Sequence, residues 1–145
     1  MFTKAYRIVN DYEQAQDVLQ EAFVEVFRDM RSYRQEASLG SWIKTIVIRK
    51  ALRQLQLERR FEPFEEGRHD QVVEWQDNLT GEYLDQAIRS LPPGCRAVFL
   101  LIEVEGYSHR EAAALLGISE GTSKSQLHHA KKLLQKILNE LYRSW

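Results

Sequence analysis

Residues 106–134 read GYSHREAAALLGISEGTSKSQLHHAKKLL, and this stretch predicts two helices separated by a tight turn. Ser108 and Glu111 have the spacing of a capping box, in which each side chain bonds a free backbone N–H group where a helix begins. Gly117 suits the left-handed residue that closes that helix. Ser119 then provides a second helix cap. The apolar stripe of the second helix consists of Leu127, Ala130 and Leu134.

A capped helix, a glycine turn and a second capped helix in this order are typical of a helix-turn-helix, whose second helix lies in the major groove of DNA. An ordinary helical hairpin within an α-bundle is the alternative. The second helix favours DNA binding because its exposed face carries side chains that can hydrogen-bond to bases and phosphates. The candidate residues for DNA contact are Ser108 and His109 at the start of the first helix, and Thr122, Lys124, Ser125, Gln126 and His129 on the second.

The composition limits the class of protein. The chain has 145 residues, of which 43% are hydrophobic and 28% are charged, as in soluble globular proteins. Cys95 is the single cysteine, so an internal disulfide and a cysteine-rich zinc site are excluded. No signal peptide or membrane-spanning run is present, which predicts a cytoplasmic protein. Because no catalytic motif or cluster of metal ligands is recognisable, we expect no enzyme activity, no cofactor and no bound metal.

The net charge of −1 is unevenly distributed. Two mildly basic blocks flank a strongly acidic segment near the middle of the chain, as expected for two nucleic-acid-facing domains joined by a polar linker. We therefore predict an all-α protein with two small helical domains, residues 1–60 and 83–145. The acidic linker between them covers residues 61–82, with a short helical turn around Val72–Trp75.

The first domain is predicted to contain three helices. Residues 2–9 form the first, which is short at its N-terminus, and Asp11 with Gln14 makes a capping box for the second. Ser41 is predicted to cap the third helix, which runs to about Arg60. The stripe of the second helix comprises Ala15, Val18, Leu19, Ala22, Phe23, Val26, Phe27 and Met30. The core residues of the third are Trp42, Ile43, Ile46, Val47, Leu52 and Leu55.

The third helix is also rich in lysine and arginine. A basic helix face is often simply solvated, but beside a DNA-binding motif we favour contact with phosphates.

In the second domain, a short helix over residues 83–91 ends at Pro92 and Pro93, and another helix leads to Gly106. Its predicted apolar residues are Tyr83, Leu84, Ala87, Ile88 and Leu91, followed by Val98, Phe99, Leu101 and Ile102.

These motifs together resemble a bacterial sigma factor of the extracytoplasmic-function (ECF) group. AQDVLQEAFVEVF, residues 15–27, is similar to the family helix that docks on the clamp coiled coil of RNA polymerase. SLGSWIKTIVIRKAL, residues 38–52, resembles the loop and helix that open and read the minus-10 promoter element. Residues 91–134, from LPPGCR to KKLL, resemble the domain that reads the minus-35 element.

The resemblance implies an alternative sigma factor that directs promoter recognition, DNA melting and transcription initiation. Its implied partners are the RNA polymerase core, through the clamp coiled coil and the flap, promoter DNA and an anti-sigma factor, with no small-molecule substrate. The implied polymerase-binding residues are Asp17, Gln20 and Glu21, which helical spacing places on one exposed face. The implied minus-10 contacts are Tyr33, Ser41, Lys44, Arg49, Lys50 and Arg53.

The chain departs from the family pattern at several positions. Ile48 and Arg49 replace a usual Arg-Asn pair, Arg53 replaces a frequent Asp, and Ser123 replaces a usual apolar residue. Two alternatives therefore stay open: a sigma-like mimic that sequesters an anti-sigma factor, and a helix-turn-helix transcriptional regulator. A regulator would need a dimer and a palindromic site, and the clamp-type helix argues against it.

Overall fold

The computed structural model describes residues 1–59 and 81–143. All regular elements in these two ranges are helical, and the chain divides into two compact units, Met1–Pro63 and Phe64–Trp145. The predicted all-α fold is confirmed. The predicted helical turn around Val72–Trp75 lies outside the described residues. None of the described helices has the length and apolar character needed to cross a membrane.

The first unit packs three helices against one another. They are α1 (Phe2–Val9), α2 (Tyr12–Asp29), which continues into a 3-10 turn over Met30–Ser32, and α3 (Leu39–Arg59). The chain passes from α1 to α2 through Asn10, whose left-handed backbone has a φ of 53°. One half of the predicted capping box of α2 is present: Asp11 Oδ1 accepts a hydrogen bond from the backbone N–H of Gln14 at 3.0 Å. The return bond, from the backbone N–H of Asp11 to Gln14 Oε1, is not formed.

The core of the first unit is built around small residues on α1 and α2. Ala5, Ala15 and Ala22 have no exposed surface, which lets the helices approach one another closely. The larger core residues are Ile8, Val9, Val18, Val26, Ile46, Val47, Ile48, Leu52 and Leu55.

The predicted stripe of α2 is wrong at its aromatic flank. Phe27 is 75% exposed, Phe23 is 38% exposed and Met30 is 48% exposed, because the buried arc of the helix is centred on the alanines. The core prediction for α3 also needs correction. Trp42 and Ile43 are only half-buried, whereas Ile48 is 1% exposed and points into the core.

The predicted cap of α3 is wrong, because Ser38 rather than Ser41 caps the helix. The helix begins at Leu39, and it is Ser38 whose Oγ accepts a hydrogen bond from the backbone N–H of Ser41 at 3.2 Å. The Ser38 hydroxyl donates in turn to Ser41 Oγ at 3.0 Å. Ser41 therefore lies within the first turn of the helix rather than before it.

The second unit contains four α-helices among its described residues. They are α4 (Gly81–Arg89), α5 (Pro93–Phe99), α6 (His109–Leu116) and α7 (Glu120–Arg143). A π-helical segment, Leu100–Val104, continues α5. Pro93 begins α5 as predicted, and α7 packs against both α5 and α6.

The core of this unit includes a buried arginine. Arg96 is 4% exposed, and its Nη1 donates hydrogen bonds to the carbonyl oxygens of Arg89 at 3.1 Å and Leu91 at 3.0 Å. A cation is favourable at this end of α4, where the helix dipole is negative. Leu84, predicted as a core residue, is 48% exposed. The apolar core comprises Tyr83, Ala87, Ile88, Leu91, Ala97, Val98, Leu100, Leu101, Ala112, Ala113, Leu127, Ala130 and Leu134.

The predicted caps of α6 and α7 are confirmed. Ser108 Oγ accepts a hydrogen bond from the backbone N–H of Glu111 at 3.1 Å, and Glu111 Oε1 accepts one from the backbone N–H of Ser108 at 3.2 Å. Gly117 closes α6 with a φ of 66°. Ser119 Oγ then accepts a hydrogen bond from the backbone N–H of Thr122 at 3.0 Å, which starts α7. Local hydrogen bonds thus fix both ends of the turn.

The capping box predicts a stability cost. Substituting Ser108→Ala leaves the Glu111 N–H group without its side-chain acceptor, so the free energy of unfolding should fall by about 1 kcal/mol. Urea unfolding followed by circular dichroism measures this change. Ser125→Ala, at an exposed position of α7, is the matched control and should change the free energy little. Equal stabilities of Ser108→Ala and the unsubstituted chain would contradict the assignment.

Candidate nucleic-acid interface

The second helix of the helix-turn-helix presents a polar outer face. Leu127, Ala130 and Leu134 are buried as predicted, which turns the opposite side of α7 to solvent. The exposed face adjoins the N-terminus of α6, where Ser108 is also exposed. The predicted DNA contacts on the exposed side of α7 are Thr122, Lys124, Ser125 and His129.

His109 is half-buried, and its environment explains an unusual residue in the core. Ser123 has no exposed surface, and its Oγ lies 2.8 Å from Nδ1 of His109. Burying a hydroxyl without a partner is unfavourable, so this bond accounts for a polar residue on the apolar stripe of α7. It also ties the first turn of α6 to the first turn of α7. The sequence contained one sign of it, the interruption of the stripe at Ser123.

Gln126 differs from its exposed neighbours on α7. It is half-buried, and its side-chain oxygen Oε1 accepts a hydrogen bond from Sγ of Cys95 at 2.9 Å. The cysteine is 1% exposed, so the bond reaches from the core of the unit to the edge of the polar face. The sequence predicts DNA contact for Gln126 but gives no sign of this partner, which lies on α5.

In the first unit, the loop before α3 is held by an aromatic pair. The rings of Tyr33 and Trp42 lie 5.1 Å apart between centroids, and the Tyr33 hydroxyl donates a hydrogen bond to the carbonyl oxygen of Ala37. Gln35 has a left-handed backbone with a φ of 60°. The loop is therefore anchored at both ends while its polar middle is exposed.

The structure separates the predicted basic residues of α3 into two groups. Arg49 and Arg53 are exposed and lie one helical turn apart, so both can meet the same run of phosphates. Lys50 instead makes a salt bridge to Glu25 on α2, with Nζ and Oε2 3.1 Å apart. Lys44 is half-buried. The arginines, hereafter the arginine pair, are therefore the better candidates for DNA contact.

The three predicted polymerase-binding residues, Asp17, Gln20 and Glu21, are all exposed on α2. Exposed apolar side chains flank them, because Val24 is 63% exposed and Phe27 is 75% exposed. We call the exposed side chains of this part of α2 the α2 face: Asp17, Gln20, Glu21, Phe23, Val24 and Phe27. An exposed surface that mixes acidic and large apolar groups is typical of a protein-binding site.

A cavity of about 290 Å³ opens at the N-terminal end of the α2 face. Two aromatic rings line it, Phe2 and Tyr12, and their centroids lie 5.2 Å apart. Phe2 also stacks on Tyr6, with ring centroids 6.0 Å apart. The residues that line the cavity are Phe2, Tyr12, Gln16, Leu19 and Gln20.

Within the residues that the structure describes, no three histidine, cysteine or carboxylate side chains are placed to share a metal ion. His128 and His129 contact each other edge to face, with ring centroids 6.1 Å apart. The polar face of α7 is thus built from hydrogen-bonding side chains and lysines.

Comparison with known families matches both units. Residues 1–61 match the family model "Sigma-70 region 2", and residues 81–134 match "Sigma-70, region 4". Among similar proteins, the chain is 30% identical over 149 residues to ECF RNA polymerase sigma factor SigE of Mycolicibacterium smegmatis. It is 31% identical over 133 residues to ECF RNA polymerase sigma factor SigM of Mycobacterium tuberculosis.

These alignments cover 95% and 89% of this chain. The chain spans 57% of the length of SigE and 66% of the length of SigM.

Two solved structures share the fold. One is the sigma factor RpoE in complex with the anti-sigma factor NepR from Bartonella quintana, with a TM-score of 0.58 and 23% identity, covering 95% of this chain and 89% of that one. The other is CnrH in complex with the cytosolic domain of CnrY, with a TM-score of 0.55 and 22% identity. This second match covers 96% of this chain and 80% of CnrH.

The bond between His109 and Ser123 can be tested by a double-mutant cycle. We expect His109→Ala and Ser123→Ala each to lower the free energy of unfolding, and the pair to show a coupling energy of about 1 kcal/mol. Urea unfolding of the four variants measures it. A cycle of His109→Ala with Ser125→Ala is the control and should show no coupling. Additive losses for the first pair would mean that the hydrogen bond contributes nothing to stability.

Proposed function

The chain belongs to the sigma-70 family, and we propose that it acts as an alternative sigma factor of the ECF type. In this role it binds the RNA polymerase core in the cytoplasm and directs promoter recognition, DNA melting and transcription initiation. The polymerase supplies the chemistry, so the chain needs no catalytic residues of its own. The observation that carries the proposal is one chain with both a fully capped helix-turn-helix and a helical unit bearing an exposed arginine pair.

The second unit is proposed to read the minus-35 element. Its α7 would enter the major groove, as the second helix of a helix-turn-helix does. Lys124 suits a phosphate, whereas Ser125 and Gln126 can hydrogen-bond to base edges. The bond between His109 and Ser123 supports this role, because it fixes α6, which crosses the DNA backbone, against the reading helix.

The first unit is proposed to hold and melt the minus-10 element. Melting requires a site for a base that has left the stack, with apolar or aromatic walls and basic support. The anchored loop of residues 33–41 and the arginine pair on α3 meet these requirements within one unit. The arginine pair would supply charge where this chain lacks the family's usual asparagine.

The α2 face is proposed to dock on the clamp coiled coil of the polymerase. Asp17 and Glu21 would meet basic groups, while Phe23 and Phe27 would bury apolar surface on binding. We extend to this chain a second type of partner, an anti-sigma factor, because the RpoE structure of the same fold contains one. The proposed domains remain residues 1–60 and 83–145, joined by the acidic linker 61–82.

Charge reversal tests the docking role. Asp17→Lys together with Glu21→Lys should lower the affinity for core polymerase at least tenfold, because like charges would then meet across the interface. Helicity should be unchanged, since both side chains are exposed. The measurements are a binding titration with core polymerase and circular dichroism. Glu140→Lys, an exposed acid on α7, is the control for added positive charge. An unchanged affinity would rule out this part of α2 as the docking surface.

The arginine pair gives a test of promoter opening. Arg49→Ala with Arg53→Ala should abolish opening but spare polymerase binding, because both side chains are exposed on α3, whereas the proposed docking residues are on α2. Permanganate footprinting is carried out on promoters that the holoenzyme selects, and it detects unpaired thymines in the minus-10 region. Arg28→Ala removes an exposed arginine from α2 and serves as the control. If the intact chain binds polymerase or an anti-sigma factor but opens no promoter of its own genome, it is a mimic rather than a sigma factor.

A further inference from the structure

The hydrogen bond between Cys95 and Gln126 links the core of the second unit to its reading helix. The two residues are separated by 31 positions in the sequence, and Sγ and Oε1 lie 2.9 Å apart. The thiol is buried, whereas Gln126 is half-buried beside the exposed Ser125. Cys95 is too deeply buried to contact DNA, but through this bond it acts on Gln126, which reaches the polar face.

The amide of Gln126 has two chemically distinct ends. Its oxygen only accepts hydrogen bonds, and its nitrogen only donates them. The bidentate reading of adenine needs both ends, because the amide oxygen accepts from N6 while the amide nitrogen donates to N7. Guanine presents two acceptors, O6 and N7, on its major-groove edge. Which base the glutamine prefers thus depends on which end of the amide faces the groove.

The thiol of Cys95 bonds the oxygen end of this amide. Because the oxygen of this planar amide bonds the buried thiol, the nitrogen is the end of the amide that is left to meet the groove. The acceptor that adenine requires then faces Cys95 rather than the groove, and the two N–H donors of the amide remain for DNA. We propose that Cys95 is a positioning residue that sets Gln126 to donate to guanine rather than to pair with adenine. This inference rests on the proposed function, since it requires α7 to read the minus-35 element.

The chemistry of the thiol makes the idea testable by conservative substitution. A serine hydroxyl at position 95 keeps a donor of similar size, whereas alanine removes the donor and frees the amide to rotate. A purely structural cysteine would behave differently. Its loss would lower the stability of the fold, and with it the binding of every DNA sequence, without moving the base preference at one position.

The experiment is a selection from a DNA library randomised across the minus-35 region, using core polymerase with the full chain. We expect the unsubstituted chain to enrich guanine over adenine about tenfold at one position, as for one good base contact. Gln126→Ala should erase the preference at that position alone. Cys95→Ser should retain it, and Cys95→Ala should shift it toward adenine, with polymerase affinity and helicity preserved in each case.

The control is Lys124→Ala, which should weaken binding to all sequences alike and leave the base preferences unchanged. A Cys95→Ala profile identical to that of the unsubstituted chain overturns the inference while leaving the proposed function intact. Loss of preference in both Cys95→Ser and Cys95→Ala, with lowered helicity, shows a packing role only and also overturns it. An unsubstituted chain that selects no sequence with polymerase refutes the proposed function, and the inference with it.

Discussion

The buried guanidinium of Arg96 constrains the whole second unit. A charge with 4% exposure is tolerated only when its donors are satisfied, and Nη1 of Arg96 finds the carbonyl oxygens of Arg89 and Leu91 where α4 ends. These bonds fix α4 against α5, and α5 is the platform on which α7 packs. The adjacent residue, Cys95, reaches across the same platform to Gln126. One turn of α5 therefore carries both the hydrogen bonds of the buried arginine and the contact to α7.

The parts of the fold that the sequence predicted are those with local causes. The Ser108–Glu111 capping box and the left-handed Gly117 each depend on neighbouring residues, so their spacing was enough. The cap of α3 was misassigned because two serines, Ser38 and Ser41, stand within one turn of each other, and their spacing does not tell which of them precedes the helix.

The aromatic flank of α2 was misassigned for a different reason. Helical periodicity gives the apolar side of a helix but not the width of the surface that its partners cover. Here α1 and α3 close on the alanines and leave Phe27 outside the core. Periodicity assigns Phe23 and Phe27 to the core, but both are exposed. Under the proposed function they can bind a protein partner.

The candidate site also has one part with local causes and another that depends on tertiary packing. The polar exposed face of α7 followed from its apolar stripe, whereas the partners of His109, Gln126 and Lys50 lie on other helices and depend on tertiary packing. Under the proposed function, phosphate attraction resides in exposed charges such as the arginine pair, and it is independent of base sequence. Base discrimination instead depends on how hydrogen-bonding side chains are oriented. Because a buried thiol orients one of them, a substitution in the core can change the promoters that are read without altering any residue at the DNA surface.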